Sequence, residues 1–107
     1  MESIYKHSDY RSVIKTRLIL LKKRSGKGFS MDRLAKYCRL QRTYLSAVLH
    51  GRGDLNSDQI FMVCQFLEMS EDEYHYTSLM HECERSAFSE RKIILEKAIN
   101  EIQKAQR

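Results

Sequence analysis

The sequence predicts an all-α protein: five short helices building one unit over residues 9–86, followed by an amphipathic C-terminal helix in residues 87–107. Three observations carry this expectation. Apolar residues recur at three- and four-residue spacing, and no segment shows the two-residue alternation of a half-buried strand. Helix-start chemistry repeats: Ser30, Asn56 and Ser70 each precede a periodic run, the last two with Gln59 and Glu73 three residues on. Four glycines and no proline supply few breaks, and the glycines cluster at 26–28 and 51–53, between periodic runs.

Helix one is expected over residues 9–24, with Tyr10, Val13, Ile14, Leu18 and Leu21 on one side. Lys22, Lys23 and Arg24 close it where cations suit the helix dipole, and Ser25-Gly26-Lys27-Gly28 stops it. Helix two starts after the cap Ser30, with Phe29 and Leu34 spaced as a hydrophobic staple, and ends near Cys38. Its inward residues are Leu34, Ala35 and either Cys38 or Tyr37. Helix three spans 41–50, stapled by Leu40 and Leu45, with Leu45, Val48 and Leu49 inward. Arg42, Thr43, Ser46 and Ala47 form its small, polar side, and Gly51 and Gly53 end it. Helix four follows Asn56, with a Leu55–Ile60 staple and Ile60, Val63, Cys64 and Leu67 as core. Helix five follows Ser70, with a Met69–Tyr74 staple, and continues through Tyr76, Leu79, Met80 and Cys83 to Arg85. Helix six runs from 89 to 106 with a narrow stripe of Leu95, Ala98 or Ile99, Ile102 and Ala105. Leu95, Ile99 and Ile102 are candidates for a dimer interface, and packing on the chain's own core explains the stripe equally well. Residues 1–8 read as a polar N-terminal arm.

At 107 residues the chain has room for one domain. No apolar run approaches membrane-spanning length and residues 1–10 carry no signal-peptide core, so a cytoplasmic protein without membrane association is expected. The net charge of +5 is unevenly spread. Residues 1–29 hold eight Lys/Arg against two acidic residues, a balance of +6; residues 30–56 hold five against two, +3. Residues 57–107 hold six against ten, −4. A basic front and an acidic rear suggest a polyanion on one side and something else on the other. The three cysteines, at 38, 64 and 83, have no CxxC spacing, and His7, His50, His75 and His81 do not join them at metal-ligand spacing, so no metal and no cofactor are expected. Cys64 reads as core, Cys83 as core or interface. Gly26-Lys27-Gly28 lacks the full phosphate-loop pattern. No nucleophile–base pair stands out, so no enzymatic activity is expected.

Function points to helices two and three. Two short helices joined by a tight turn, the second carrying short or flexible hydrogen-bonding groups, form the helix-turn-helix arrangement, whose second helix reads base edges in the major groove. Carboxylates on that helix would be repelled by phosphates, and no Asp or Glu stands between Arg39 and Arg52. The run Phe29-Ser30-Met31-Asp32-Arg33-Leu34-Ala35-Lys36, then Leu40-Gln41-Arg42-Thr43-Tyr44-Leu45-Ser46-Ala47-Val48-Leu49-His50-Gly51-Arg52, resembles the helix-turn-helix of the XRE class, the lambda-repressor/Cro superfamily. Asp9-Tyr10-Arg11, Tyr44-Leu45-Ser46 and the acidic start from Ser70 to Tyr74 are similar to the N-terminal domain of a group of bacterial XRE-like regulators.

The resemblance implies a five-helix lambda-repressor-like domain and sequence-specific binding of double-stranded DNA, as a homodimer on a palindromic operator, in transcription regulation. It implies base contacts from Gln41, Arg42, Thr43, Ser46 and Ala47, with Arg42 forking onto guanine and Ala47 meeting a thymine methyl. It implies phosphate contacts from Ser30, Arg33, Tyr44 and Arg52, with the Gly51–Gly53 backbone alongside. Tyr44 fits a half-buried support as well as a phosphate contact. Met31 departs from the polar residue the family often has there. Arg39 departs from the family's usual turn glycine; either it takes the left-handed conformation at a cost of roughly 1 kcal/mol or more, or the turn has another shape. A rival reading from another class is an antitoxin or adaptor that binds a protein through residues 70–107. RNA binding lacks a stacking aromatic pair or module signature.

Overall fold

The computed structural model describes residues 3–7 and 9–106. Six α-helices occupy them: α1 (Tyr10–Ser25), α2 (Met31–Tyr37), α3 (Arg42–Leu49), α4 (Ser57–Phe66), α5 (Glu71–Arg85) and α6 (Ser89–Ala105), with 3₁₀ turns at Ile4–Lys6 and Gly26–Phe29. No strand occurs among the described residues. The all-α class and six helices expected from periodicity are present, each within about two residues of its expected ends. None of the helices is long and apolar enough to cross a membrane.

The caps form as the sequence requires. Ser30 accepts from the Arg33 amide, and Asn56–Gln59 and Ser70–Glu73 close two complete capping boxes. Asp9 caps α1 by accepting from the Arg11 amide at 3.1 Å. The core is the set of expected stripes: Tyr10, Val13, Ile14, Leu18 and Leu21 of α1 meet Leu34, Leu45, Val48, Leu49, Ile60, Val63, Leu67, Tyr76 and Met80. Cys38, not Tyr37, is the inward residue at the end of α2; Tyr37 is half-exposed against Phe66. The 26–29 segment is not a plain stop. It continues as a 3₁₀ turn, with Gly26 at φ 71°, that carries Phe29 onto Phe66.

Residues 1, 2 and 8 of the expected arm lie outside the described residues. In the rest of the arm, Ile4 is buried in the core. Tyr76 donates to the His7 carbonyl at 2.6 Å and accepts from Gln103 of α6 at 2.9 Å, so the N-terminal turn, α5 and α6 are tied through one hydroxyl. The α6 stripe faces this junction: Leu95 and Ile99 are buried, Ile102 is partly buried, and Ala105 is exposed.

Three helices end in the same device. At α2, α3 and α4 the amide two residues past the cap bonds back to the third-last carbonyl: Leu40 to Ala35, Arg52 to Ala47, Met69 to Cys64. This Schellman motif needs a left-handed residue between, supplied by Arg39 (φ 57°), Gly51 (φ 87°) and Glu68 (φ 55°). Arg39 thus adopts the left-handed turn. Only Gly51 does so without a Cβ penalty. Both side chains at the other two positions are exposed, so Arg39→Gly and Glu68→Gly are each expected to stabilise the protein by about 0.5–1 kcal/mol. Denaturant midpoints at unchanged slope check this; no gain at either position would mean the strain is absent.

Candidate nucleic-acid interface

The α2–α3 pair is built around its turn. Leu34 and Ala35 point inward from α2 and Leu45, Val48 and Leu49 from α3, so burial decides which side of α3 is outward. The outward residues include those expected to contact bases. Gln41, Arg42 and Thr43 are exposed at the start of α3, and Ser46 and Ala47 are partly exposed one turn on. Gln41 occupies the N-cap but makes no side-chain cap bond, and the first turn of α3 holds no acidic residue. Every other described α-helix has a capping side chain, an acidic first turn, or both. The first-turn amides and positive dipole end of α3 are therefore left to solvent, where an anion is favoured.

The carboxylate-free stretch between Arg39 and Arg52 is not carboxylate-free in space. Asp32, at the start of α2, lies 3.2 Å from Arg42 Nε, with both side chains well exposed. An Asp in the first turn suits α2's own dipole. The contact lies at Nε, whereas the Nη groups are the atoms a two-pronged contact would use. Sequence reading missed this pair because the partners sit on different helices.

The residues expected at phosphates divide. Arg33 and Arg52 are exposed. Ser30 spends an acceptor lone pair on the Arg33 amide at 3.2 Å and keeps its hydroxyl hydrogen to donate. Tyr44 donates its one hydroxyl hydrogen to the Asp54 carbonyl at 2.5 Å, the geometry of a support for the loop after α3. The Gly51 and Arg52 amides are consumed by Val48 and Ala47, so that part of the loop backbone has no hydrogen to offer. His50 closes on the Ser46 carbonyl at 2.7 Å, as a helix-end residue does.

A buried cluster behind α3 fixes its far end. Arg11 is 9% exposed. Its Nε donates to the Val48 carbonyl and its Nη2 to the Gly53 carbonyl and the Asp54 carboxylate, each at 2.8 Å. Its Nη1 meets Glu84 of α5, and the guanidinium stacks on the Tyr10 ring at 4.5 Å. Burial works against the charge, but Glu84, Tyr10 and Asp54 together raise the guanidinium's pKa further. Burial raises the Tyr10 hydroxyl's pKa well above its ordinary value, so it donates to Asp54 at 3.2 Å as a neutral phenol. Leu55 follows: its carbonyl accepts from His81 Nε2 at 2.6 Å and from Arg85 at 2.7 Å. A carbonyl can only accept, so His81 carries its hydrogen on Nε2. Charge counting alone placed Arg11 on the basic surface. Its spacing held the signal, because Arg11 stands seven residues before Leu18 and shares its side of α1.

Burial pushes the Cys38 thiol up to about 11 and Cys64 to about 12, and also raises Cys83. All three stay protonated at neutral pH and are poor nucleophiles. No group of three or more metal-ligating side chains occurs among the described residues. Comparison with protein-family models, curated proteins and solved structures gives no match for this chain.

Proposed function

We propose that the protein is a sequence-specific double-stranded DNA-binding regulator that inserts α3 into the major groove, with α2 and α3 acting as a helix-turn-helix of the XRE type. The observation that carries the reading is the start of α3, uncapped and with no acidic residue of its own first turn, where Gln41, Arg42 and Thr43 are exposed beside one another. Helix three offers hydrogen-bonding side chains to base edges, and Arg33 and Arg52 flank it with charges for phosphates. The exposed basic residues of 1–56, without Arg11 and Arg17, which Asp54, Glu84 and Glu73 hold inside the fold, supply the non-specific attraction through counterion release. Arg39 in the left-handed turn supports the same reading, since it lets α3 follow α2 after only four residues. A homodimer would match a palindromic operator with half-sites about 10 bp apart or a multiple of that.

Arg42→Ala tests the readout. It is expected to lose about 1–3 kcal/mol of discrimination at one base position of the preferred site, measured by competition among single-base variants of a duplex. Equal weakening on every duplex would make Arg42 a phosphate contact and overturn its assigned role.

A further inference from the structure

Among the described residues, no other element packs on the outer face of α6. Leu95 and Ile99 turn the opposite face onto the core. Outward, Ile93 is 65% and Ile94 68% exposed, and Phe88, just before the helix, is 71% exposed. A lone exposed apolar side chain needs no explanation, but adjacent ones form a patch. Charges frame this patch along the helix. Glu90 stands one turn before the isoleucines and Lys97 one turn after, both exposed and all four on one face.

From 90 to 97 the order along the face is acid, apolar pair, base, and Glu101 and Lys104 continue the same face beyond it. A second copy running antiparallel presents base, apolar pair, acid. A two-fold axis between positions 93 and 94 therefore brings the isoleucine pairs of the two copies together and sets Glu90 of each at the level of the other's Lys97. A parallel pairing would put Glu90 on Glu90 and Lys97 on Lys97. The other exposed apolar side chains do not repeat the pattern. Ile19 is flanked at helical spacing by Lys15, Lys22 and Lys23, which would repel a copy of themselves, and Phe61 already packs edge-to-face with Tyr74.

We propose that the outer face of α6 is the surface on which two copies of this chain associate, antiparallel, about Ile93 and Ile94. This rests on the homodimer in the reading above and moves its interface from the Leu95–Ile99–Ile102 stripe to the opposite side of the same helix. With the axis between 93 and 94, residues 89–98 of the two helices overlap, about 15 Å of helix. One helix pair of that length covers less than the roughly 800 Å² per partner of a standard interface, so the dimer is weak and reversible.

Sedimentation velocity of the full chain over a wide concentration series tests it. The expected result is a monomer–dimer equilibrium, abolished by I93K/I94K with helicity and melting unchanged. E90K and K97E are each expected to weaken the dimer by about tenfold, and E90K/K97E together to restore it. Glu90 and Lys97 are two turns apart on their own helix, too far to pair within one chain, so the restoration reports contact between copies. If I93K/I94K also lowered helicity, the charge-exchange series would decide alone. A chain monomeric at every concentration, or a dimer insensitive to these changes, would overturn the proposal. A monomer that still selects a DNA sequence would overturn this inference alone; a dimer of the expected kind that selects none would overturn the DNA reading alone.

Discussion

Replacing Arg11 with leucine is expected to destabilise the protein by about 3 kcal/mol. Leucine keeps part of the buried stem but removes every donor. The Val48 and Gly53 carbonyls lose their 2.8 Å partner, and Asp54 and Glu84 lose the cation between them. Breaking a fully buried ion pair by removing one member costs about 3–5 kcal/mol, and the value here falls toward the lower end because both carboxylates remain partly hydrated. Arg11→Lys is expected to lose a smaller share, since an ammonium keeps the charge but cannot reach three acceptors in the fixed fork of a guanidinium. Calorimetry of the two variants checks the order. A loss below about 1 kcal/mol for Arg11→Leu would mean that the cluster is an exposed ion pair in effect and does not hold α3.

The second large effect concerns Arg17 and Glu73. Arg17 makes a two-pronged pair with Glu73, Nη1 to Oε2 at 2.8 Å and Nη2 to Oε1 at 3.1 Å. It also donates to the Leu67 and Glu68 carbonyls at the end of α4. Glu73 at the same time completes the capping box of α5. One ion pair therefore joins α1 to the end of one helix and the start of the next. Burial alone would raise the Glu73 pKa, but the Ser70 amide and the Arg17 guanidinium outweigh burial and hold it below the ordinary 4.5. A carboxylate whose folded pKa is depressed adds stability that is fully present above the unfolded pKa and is lost as pH falls through the folded one. The stabilisation is thus complete at neutral pH and disappears below about pH 4.5. Glu73→Gln, which can still close the capping box, is expected to cost about 2 kcal/mol at pH 7 and progressively less in acid. Unfolding free energies measured across this range should converge for the two proteins. Parallel curves would contradict the role given to the pair.

Most of the fold could be read from periodicity and caps because both are local. Ser30, Asn56–Gln59 and Ser70–Glu73 sit within one turn of the groups they satisfy, and the stripes of α1, α3 and α4 are buried as spaced. The outward placement of Gln41, Arg42 and Thr43 followed from the same logic, since burial of Leu45, Val48 and Leu49 leaves them no other side. What escaped depends on residues far apart in the chain. Arg11 reaches loop 53–54 and α5, Arg17 reaches α4 and α5, and Asp32 reaches Arg42. Charge counting treats all of these as solvated surface. Spacing held part of the answer: Arg17 lies four residues after Val13 and four before Leu21, inside the apolar stripe. The burial of Ile4 had no such signal, because a short 3₁₀ turn is too brief to show periodicity.

Selection of bound duplexes from a random pool at physiological salt, using the full chain, tests most directly whether α3 reads a DNA sequence. The expected result is one enriched motif, arranged as an inverted repeat with half-sites about 10 bp apart or a multiple of it, whose affinity falls steeply with added salt. An unenriched pool, with no salt-dependent binding, would contradict it.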